Sequence, residues 1–191
     1  MWSYEKRLQF PVNITSPNAM LAQAIISQYG GPDGEMGASM RYLSQRYAAP
    51  YREVASVLTD IGTEELAHLE IVATIIHQLT KNLSMEEIEK SGFANYYVDH
   101  TVGIWPQAAG GFPFSAAQFQ STGDIITDLT EDMAADATLS NIQLLFYATS
   151  HNIKYHPYAT SHKTKISSVL RLGEDHPCVL YAPNGQLQYN Q

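Results

Sequence analysis

The sequence predicts an all-α protein built as a helical bundle, for three reasons. Between Arg52 and Leu79, the residues Leu58, Ile61, Glu65, His68, Val72, Ile75 and Leu79 recur at alternating steps of three and four. That is the spacing of a helix face packed in a bundle. The same period returns in Met36, Met40, Leu43 and Tyr47, and again in Ile126, Leu129, Met133, Asp136 and Leu139. Finally, the 191 residues are 45% hydrophobic and 16% charged, the composition of one globular domain with a real core.

Each element has its own local signals. A turn-rich lead-in with Pro11 and Pro17 ends at Asn18, placed to cap a helix that starts at Ala19. The run Gly30-Gly31-Pro32-Asp33-Gly34 interrupts it, and a second helix opens at Glu35 and continues to about Tyr47. Pro50 stops that helix before the long one begins at Arg52. Ser84 caps a short acidic helix, Met85 to Lys90, with Glu87 completing a capping box. From Gly92 to Gly123 no period is sustained, and Gly, Pro and aromatic residues are dense. A connection of that length predicts a structured crossover packed on the helices. Asp124 is placed to cap a further helix running to about Tyr147. Beyond Ser150 the pattern decays, with one more helical stretch near Lys163–Leu172 and an irregular tail from Pro177.

Charge and cysteine content narrow the function classes. Eleven basic against 19 acidic residues give a net charge of −8, which argues against nucleic acid or an anionic membrane as partner. The single cysteine, Cys178, allows no internal disulfide framework and no Cys-rich metal site. No stretch approaches the roughly 18 uninterrupted apolar residues of a membrane span. The opening Met1–Arg7 has no apolar segment behind its charges, so no secretory signal is expected. The charge is also uneven: residues 1–136 carry −10, whereas residues 137–191 carry +2 and four of the seven histidines. Such a shift near Asp136 marks a boundary or a segment of different history.

The chemistry is concentrated in Glu65-Leu66-Ala67-His68. Residues three apart share a helix face, and here both lie within an apolar seam. A carboxylate and an imidazole are costly to bury without a partner. That partner is either another protein group or a divalent metal, which accepts both ligands and cancels charge. Helical bundles that hold two metals combine such Glu-x-x-His pairs with single carboxylates from neighbouring helices. Glu35 at a helix start and Asp136 on an apolar side are candidates for that role. Read alone, Glu35 is equally an acid favoured by the helix dipole, and Asp136 a solvent-facing acid. The tail histidines, His151, His156, His162 and His176, lack ligand spacing.

Three stretches, Gln28-Tyr29-Gly30-Gly31-Pro32-Asp33-Gly34-Glu35, Leu58-Thr59-Asp60-Ile61-Gly62-Thr63-Glu64-Glu65-Leu66-Ala67-His68-Leu69-Glu70 and Asp128-Leu129-Thr130-Glu131-Asp132-Met133-Ala134-Ala135, together resemble the manganese catalase family. The opening Met1-Trp2-Ser3-Tyr4-Glu5-Lys6-Arg7-Leu8-Gln9 and the short length resemble its small spore-coat branch. The resemblance implies a ferritin-like four-helix bundle with the long crossover between helices two and three. It divides the chain into a helical domain, residues 1–150, and a divergent fourth helix and tail, residues 151–191. It also implies disproportionation of hydrogen peroxide at two manganese ions, without haem, in a homo-oligomer of the spore coat among other coat proteins. Carried over by motif, Glu35 would be a terminal manganese ligand, Glu65 the bridging and catalytic carboxylate, and His68 a further ligand. Asp136 would stand where the family has the Glu of Ala-Ala-Glu. An iron-oxidising or iron-storing ferritin relative would use similar ligands, but the glycine turn and the Thr63–His68 wording favour the manganese branch.

The fourth helix departs from this pattern. The family offers a second Glu-x-x-His there, and the nearest echo is Thr164–Glu174, which puts Lys165 in place of the Glu and Ser168 in place of the His. Lysine adds positive charge and serine coordinates weakly, so the resemblance leaves open a non-catalytic structural protein with a partial site. The coincident charge shift suggests a reading-frame change after Asp136. Asp60 matches one calcium-binding aspartate of some relatives, but Ser56 stands where the other would be, and no calcium is expected.

Overall fold

The computed structural model describes residues 7–9, 11–96 and 103–135. These are mostly helical: α1 (Ala19–Gly30), α2 (Glu35–Gln45), α3 (Arg52–Thr80), α4 (Met85–Ser91) and α5 over 125–135. Two short 3₁₀ turns, Phe93–Tyr96 and Ala116–Gln118, lie between α4 and α5. No helix among the described residues is long and apolar enough to cross a membrane. The expected fourth helix near Lys163–Leu172 and the tail lie outside the described residues.

The capping signals read from the sequence form their bonds. Asn18 accepts from the Leu21 amide, 3.0 Å away, at the start of α1. Ser84 and Glu87 make the reciprocal capping box of α4, and these Ser84 bonds hold the Glu87 carboxyl below its ordinary pKa. Asp124 accepts from the Thr127 amide at 2.8 Å ahead of α5, and that bond lowers its pKa in the same way. Gly92, with φ +76, ends α4 in the left-handed conformation.

α3 is the spine of the molecule. All seven residues of its seam are buried. α1 and α2 run against it in succession: the Asn18 amide bonds the Leu79 carbonyl at one end, and Ser39 Oγ donates to the Gly62 carbonyl at 2.7 Å further along. α1 and α2 therefore act as one interrupted helix antiparallel to α3. One apolar cluster joins Ala22, Ile25 and Ile26 of α1 to Ile71, Ile75, Ile76 and Leu79. A second joins Ala38 and Tyr42 of α2 to Val54, Leu58 and Ile61, and to Leu129 of α5. Glu65 and His68 fall on α3 between the two clusters.

α2 differs from the expectation. Its helical residues end at Gln45, and the buried side is Glu35, Gly37, Ala38, Ser39, Arg41, Tyr42 and Gln45. Met40 and Tyr47 of the expected stripe are exposed. The cause is close approach: a Cβ on Gly62 would sit 2.8 Å from Leu43 Cγ and 3.1 Å from Tyr42 Cβ. Ala38, Ser39 and Tyr42 take the α2–α3 contact with the half-buried Leu43 beside Gly62, and Met40 and Tyr47 turn outward. On α5 the buried residues are Asp128, Leu129, Asp132 and Ala135, with Ile126 and Met133 half-buried.

The crossover is ordered against α1 and the 3₁₀ turn. The Ala109 amide donates to Ser27 Oγ at 2.7 Å, Tyr96 Oη donates to the Ala109 carbonyl, and the Trp105 amide donates to the Tyr96 carbonyl at 3.0 Å. Gly30 permits this approach, since a Cβ there would lie 2.1 Å from Gln107 N and from the Pro106 carbonyl carbon.

Two predictions follow from this packing. Gly30→Ala should lower stability by about 1–3 kcal/mol, because the clash is with backbone that must move. A thermal midpoint equal to wild type would show that the crossover does not rest there. Asp124→Ala should cost about 1 kcal/mol at neutral pH. Because folding lowers the Asp124 pKa, its contribution is present above the unfolded value near 4 and is lost as pH falls through the lower folded value. Denaturant titrations of the two proteins should therefore converge on acidification below about pH 4; a gap that persists unchanged would contradict the cap.

Candidate metal centre

Glu35 is the first residue of α2, launched by the turn at residues 31–34, with the Ala38 amide bonding the Gly34 carbonyl to begin the helix. A carboxylate there meets the positive end of the helix dipole. Glu65 and His68 lie one turn apart on α3 and face it. The three side chains are each about 2% exposed, and they present ligand atoms that all lie within 4.8 Å of one another. His68 Nδ1 is 2.6 Å from Glu65 Oε2 and 3.9 Å from Glu35 Oε2.

When ionised, two carboxylates and one imidazole this close carry net negative charge, and burying charge costs several kcal/mol unless opposite charge meets it. A divalent cation among the three balances both. The donors are oxygen and imidazole with no thiolate, a set suited to manganese among the transition metals. Glu35, Glu65 and His68 therefore form a group that fits a metal ion. Asp136, the remaining candidate from the sequence, lies outside the described residues, as do Lys165 and Ser168.

The structure adds residues that the sequence reading passed over. Arg41 is 1% exposed and Asp132 is fully buried. Arg41 Nη2 donates to Asp33 Oδ1 at 3.0 Å and to the Pro32 carbonyl at 3.4 Å. Its Nη1 lies 3.9 Å from Asp132 Oδ1. Gln45 Nε2 donates to the same Asp132 oxygen at 3.2 Å and to Ser121 Oγ at 3.1 Å. Asp128, also buried, accepts from the Thr122 amide and hydroxyl at 2.7 and 2.8 Å and from the Gly123 amide at 3.0 Å. The available signal was the spacing of four, Arg41 with Gln45 and Asp128 with Asp132, which places each pair on one helix face.

A helical bundle with a buried Glu–Glu–His group at a break between two helices defines a helical protein with a candidate metal site, and comparison with known proteins gives the family. The family model for manganese containing catalase matches residues 1–153, and the chain belongs to that family. Protein CotJC of Bacillus subtilis (strain 168) is 48% identical over 136 residues, covering 71% of each chain. A probable manganese catalase of Clostridium acetobutylicum is 33% identical over 138 residues, 71% of this chain and 61% of that one. Among solved structures, wild-type KatB, a manganese catalase from Anabaena, superposes with a TM-score of 0.71 at 25% identity, covering all of this chain and 88% of KatB. The ferritin-like helical fold expected from the sequence is the fold of this chain.

Proposed function

We propose that this chain is a manganese-binding protein of the spore coat that disproportionates hydrogen peroxide to water and dioxygen. The observation that carries the reading is the convergence of Glu35, Glu65 and His68, all buried and within 4.8 Å of one another at their ligand atoms. Family membership supports the choice of metal and substrate, and 48% identity to Protein CotJC, with the opening Met1–Gln9, supports the short coat branch.

In this reading Glu35 and His68 would each hold manganese as a ligand, Glu65 would be the carboxylate shared by two ions, and Asp136 would supply a further acid. When bound, manganese supplies the redox change that moves two electrons per peroxide. The chain's own part is positional. α3 holds Glu65 and His68 at fixed spacing, the turn at residues 31–34 aims Glu35 at them, and apolar clusters on both sides keep bulk water out. Exposed Met40 and Tyr47 on α2, and Trp105 and Phe112 on the crossover, support self-association or contact with other coat proteins. The chain divides, on this view, at about residue 150 into the helical domain and the divergent remainder.

The sequence also favours a second reading. Lys165 and Ser168 stand where the family's fourth helix has Glu and His, which supports a coat component that holds one ion in a partial site and does not turn over peroxide.

Elemental analysis of protein produced with manganese separates the two. About two ions per chain are expected for the enzyme, and one or none for the structural protein. Protein replete in metal that evolves no oxygen from peroxide would remove the catalytic reading. Glu65→Gln, which takes away one of the two buried charges, should lose manganese on dialysis. Retention equal to wild type would mean that the metal, if any, binds elsewhere.

A further inference from the structure

We infer that Arg41 is a positioning residue for Glu35, working through the network Asp33–Arg41–Asp132–Gln45; this rests on the metal reading above. The guanidinium, on α2, reaches back to the two residues of the turn just ahead of Glu35, bonding Asp33 Oδ1 and the Pro32 carbonyl. Its other amino group faces Asp132 of α5, which Gln45 also holds. One side chain thus ties the turn that launches Glu35, the helix that carries it, and the helix that packs across it. Backbone bonds, the Gly31 amide to the Ser27 carbonyl at 2.9 Å and the Gly34 amide to the Gly31 carbonyl at 3.0 Å, close the turn on α1, and Arg41 adds the side-chain tie to α2 and α5. Gly34 has no side chain to cap α2, and Asp33 is partly exposed at the surface.

Such an ion pair is a poor way to gain stability. Replacing a buried pair with apolar groups of similar volume is often neutral or favourable, whereas breaking one partner is costly. Its benefit here is geometric. The planar fork of arginine fixes two directions at once, and a lysine cannot reproduce that. With the fork in place, Glu35 enters α2 at one fixed distance from Glu65 and His68. Without it, the first turn of α2 is free to shift while the apolar contacts of Ala38 and Tyr42 hold the rest of the helix.

The test compares wild type, Arg41→Lys and the double variant Arg41→Met/Asp132→Leu, the last leaving no lone buried charge. Manganese(II) is titrated into each full-length chain stripped of metal, with free ion read by its electron paramagnetic resonance signal. Thermal unfolding is measured in chelator, and amide exchange is followed over residues 34–38. Both variants should bind manganese about tenfold more weakly, the loss seen when groups supporting metal ligands are changed. Amides at the start of α2 should exchange faster, and the double variant should melt in chelator at or above the wild-type temperature. Unchanged affinity in both variants would overturn the positioning role alone. A double variant that fails to fold, or that loses affinity only in step with its stability, would also overturn it by showing a structural pair. Wild-type chain that takes up no manganese would instead overturn the metal reading, and this role with it.

Discussion

Everything distinctive in this molecule depends on burying two carboxylates and an imidazole in the middle of an apolar helix face. Along α3 the lower cluster ends at Ile61 and the upper begins at Ile71, and the interval is occupied by Glu65 and His68. A run of aliphatic residues there would fuse the clusters into one core and stabilise the bundle more. The polar layer is tolerated only if its charges are met, and from the facing side the broken helix offers the positive end of α2. The interruption between α1 and α2 brings a carboxylate, and a positive helix end, to the level where α3 turns polar. The glycine turn and the Glu-x-x-His motif are thus two halves of one device, although 30 residues separate them.

That device also explains which parts could be read from the sequence. α3 was fully legible because its buried face follows the ordinary rule, apolar residues at helical spacing, with the exceptions standing out as site residues. The caps at Asn18, Ser84 and Asp124 were legible because they depend on neighbours a few residues away. α2 was less so, since half of its apolar period Met36–Met40–Leu43–Tyr47 is exposed, at Met40 and Tyr47, and half only half-buried. Its buried face instead combines small residues, Ala38 and Ser39, with Tyr42 and the polar Glu35, Arg41 and Gln45. Hydrophobic periodicity then marks a face turned partly aside from the buried one. Arg41, Gln45 and Asp132 were missed for a related reason: a lone sequence cannot tell a charge that is buried and paired across helices from one that is solvated. Glu35 and Asp136 show the same limit from the other direction, each having an ordinary explanation when considered singly, and only Glu35 gains company in the described structure.

The crossover between α4 and α5 illustrates how an aperiodic stretch earns a fixed place. It has no repeating face, so its anchoring comes from individual backbone bonds to α1 and to Tyr96. Gly30 supplies the gap into which Pro106 and Gln107 fit. This contact lies at the last residue of α1, directly before the turn that leads into Glu35. Crossover, turn and ligand-bearing helix are therefore successive links of one chain of contacts, and a shift at the crossover would be felt at the polar layer.

The placement of donors also bears on how many ions the site can hold. Glu35, Glu65 and His68 come from α2 and α3 alone, so they approach a bound ion from one side of the bundle. A second ion would need further donors, which in the proposed function come from Asp136 and the sequence after it. In the proposed function Glu65 would serve as a single-ion ligand where further donors are scarce, and as a shared ligand where they are plentiful. Asp136 is one methylene shorter than the glutamate it replaces, and Lys165 brings a positive charge of its own. In the proposed function both substitutions would weaken the donors of a second ion, and neither alters Glu35, Glu65 or His68. On that proposal an ion held by those three would be the last one this chain gives up, and a second ion would distinguish an enzyme from a structural relative.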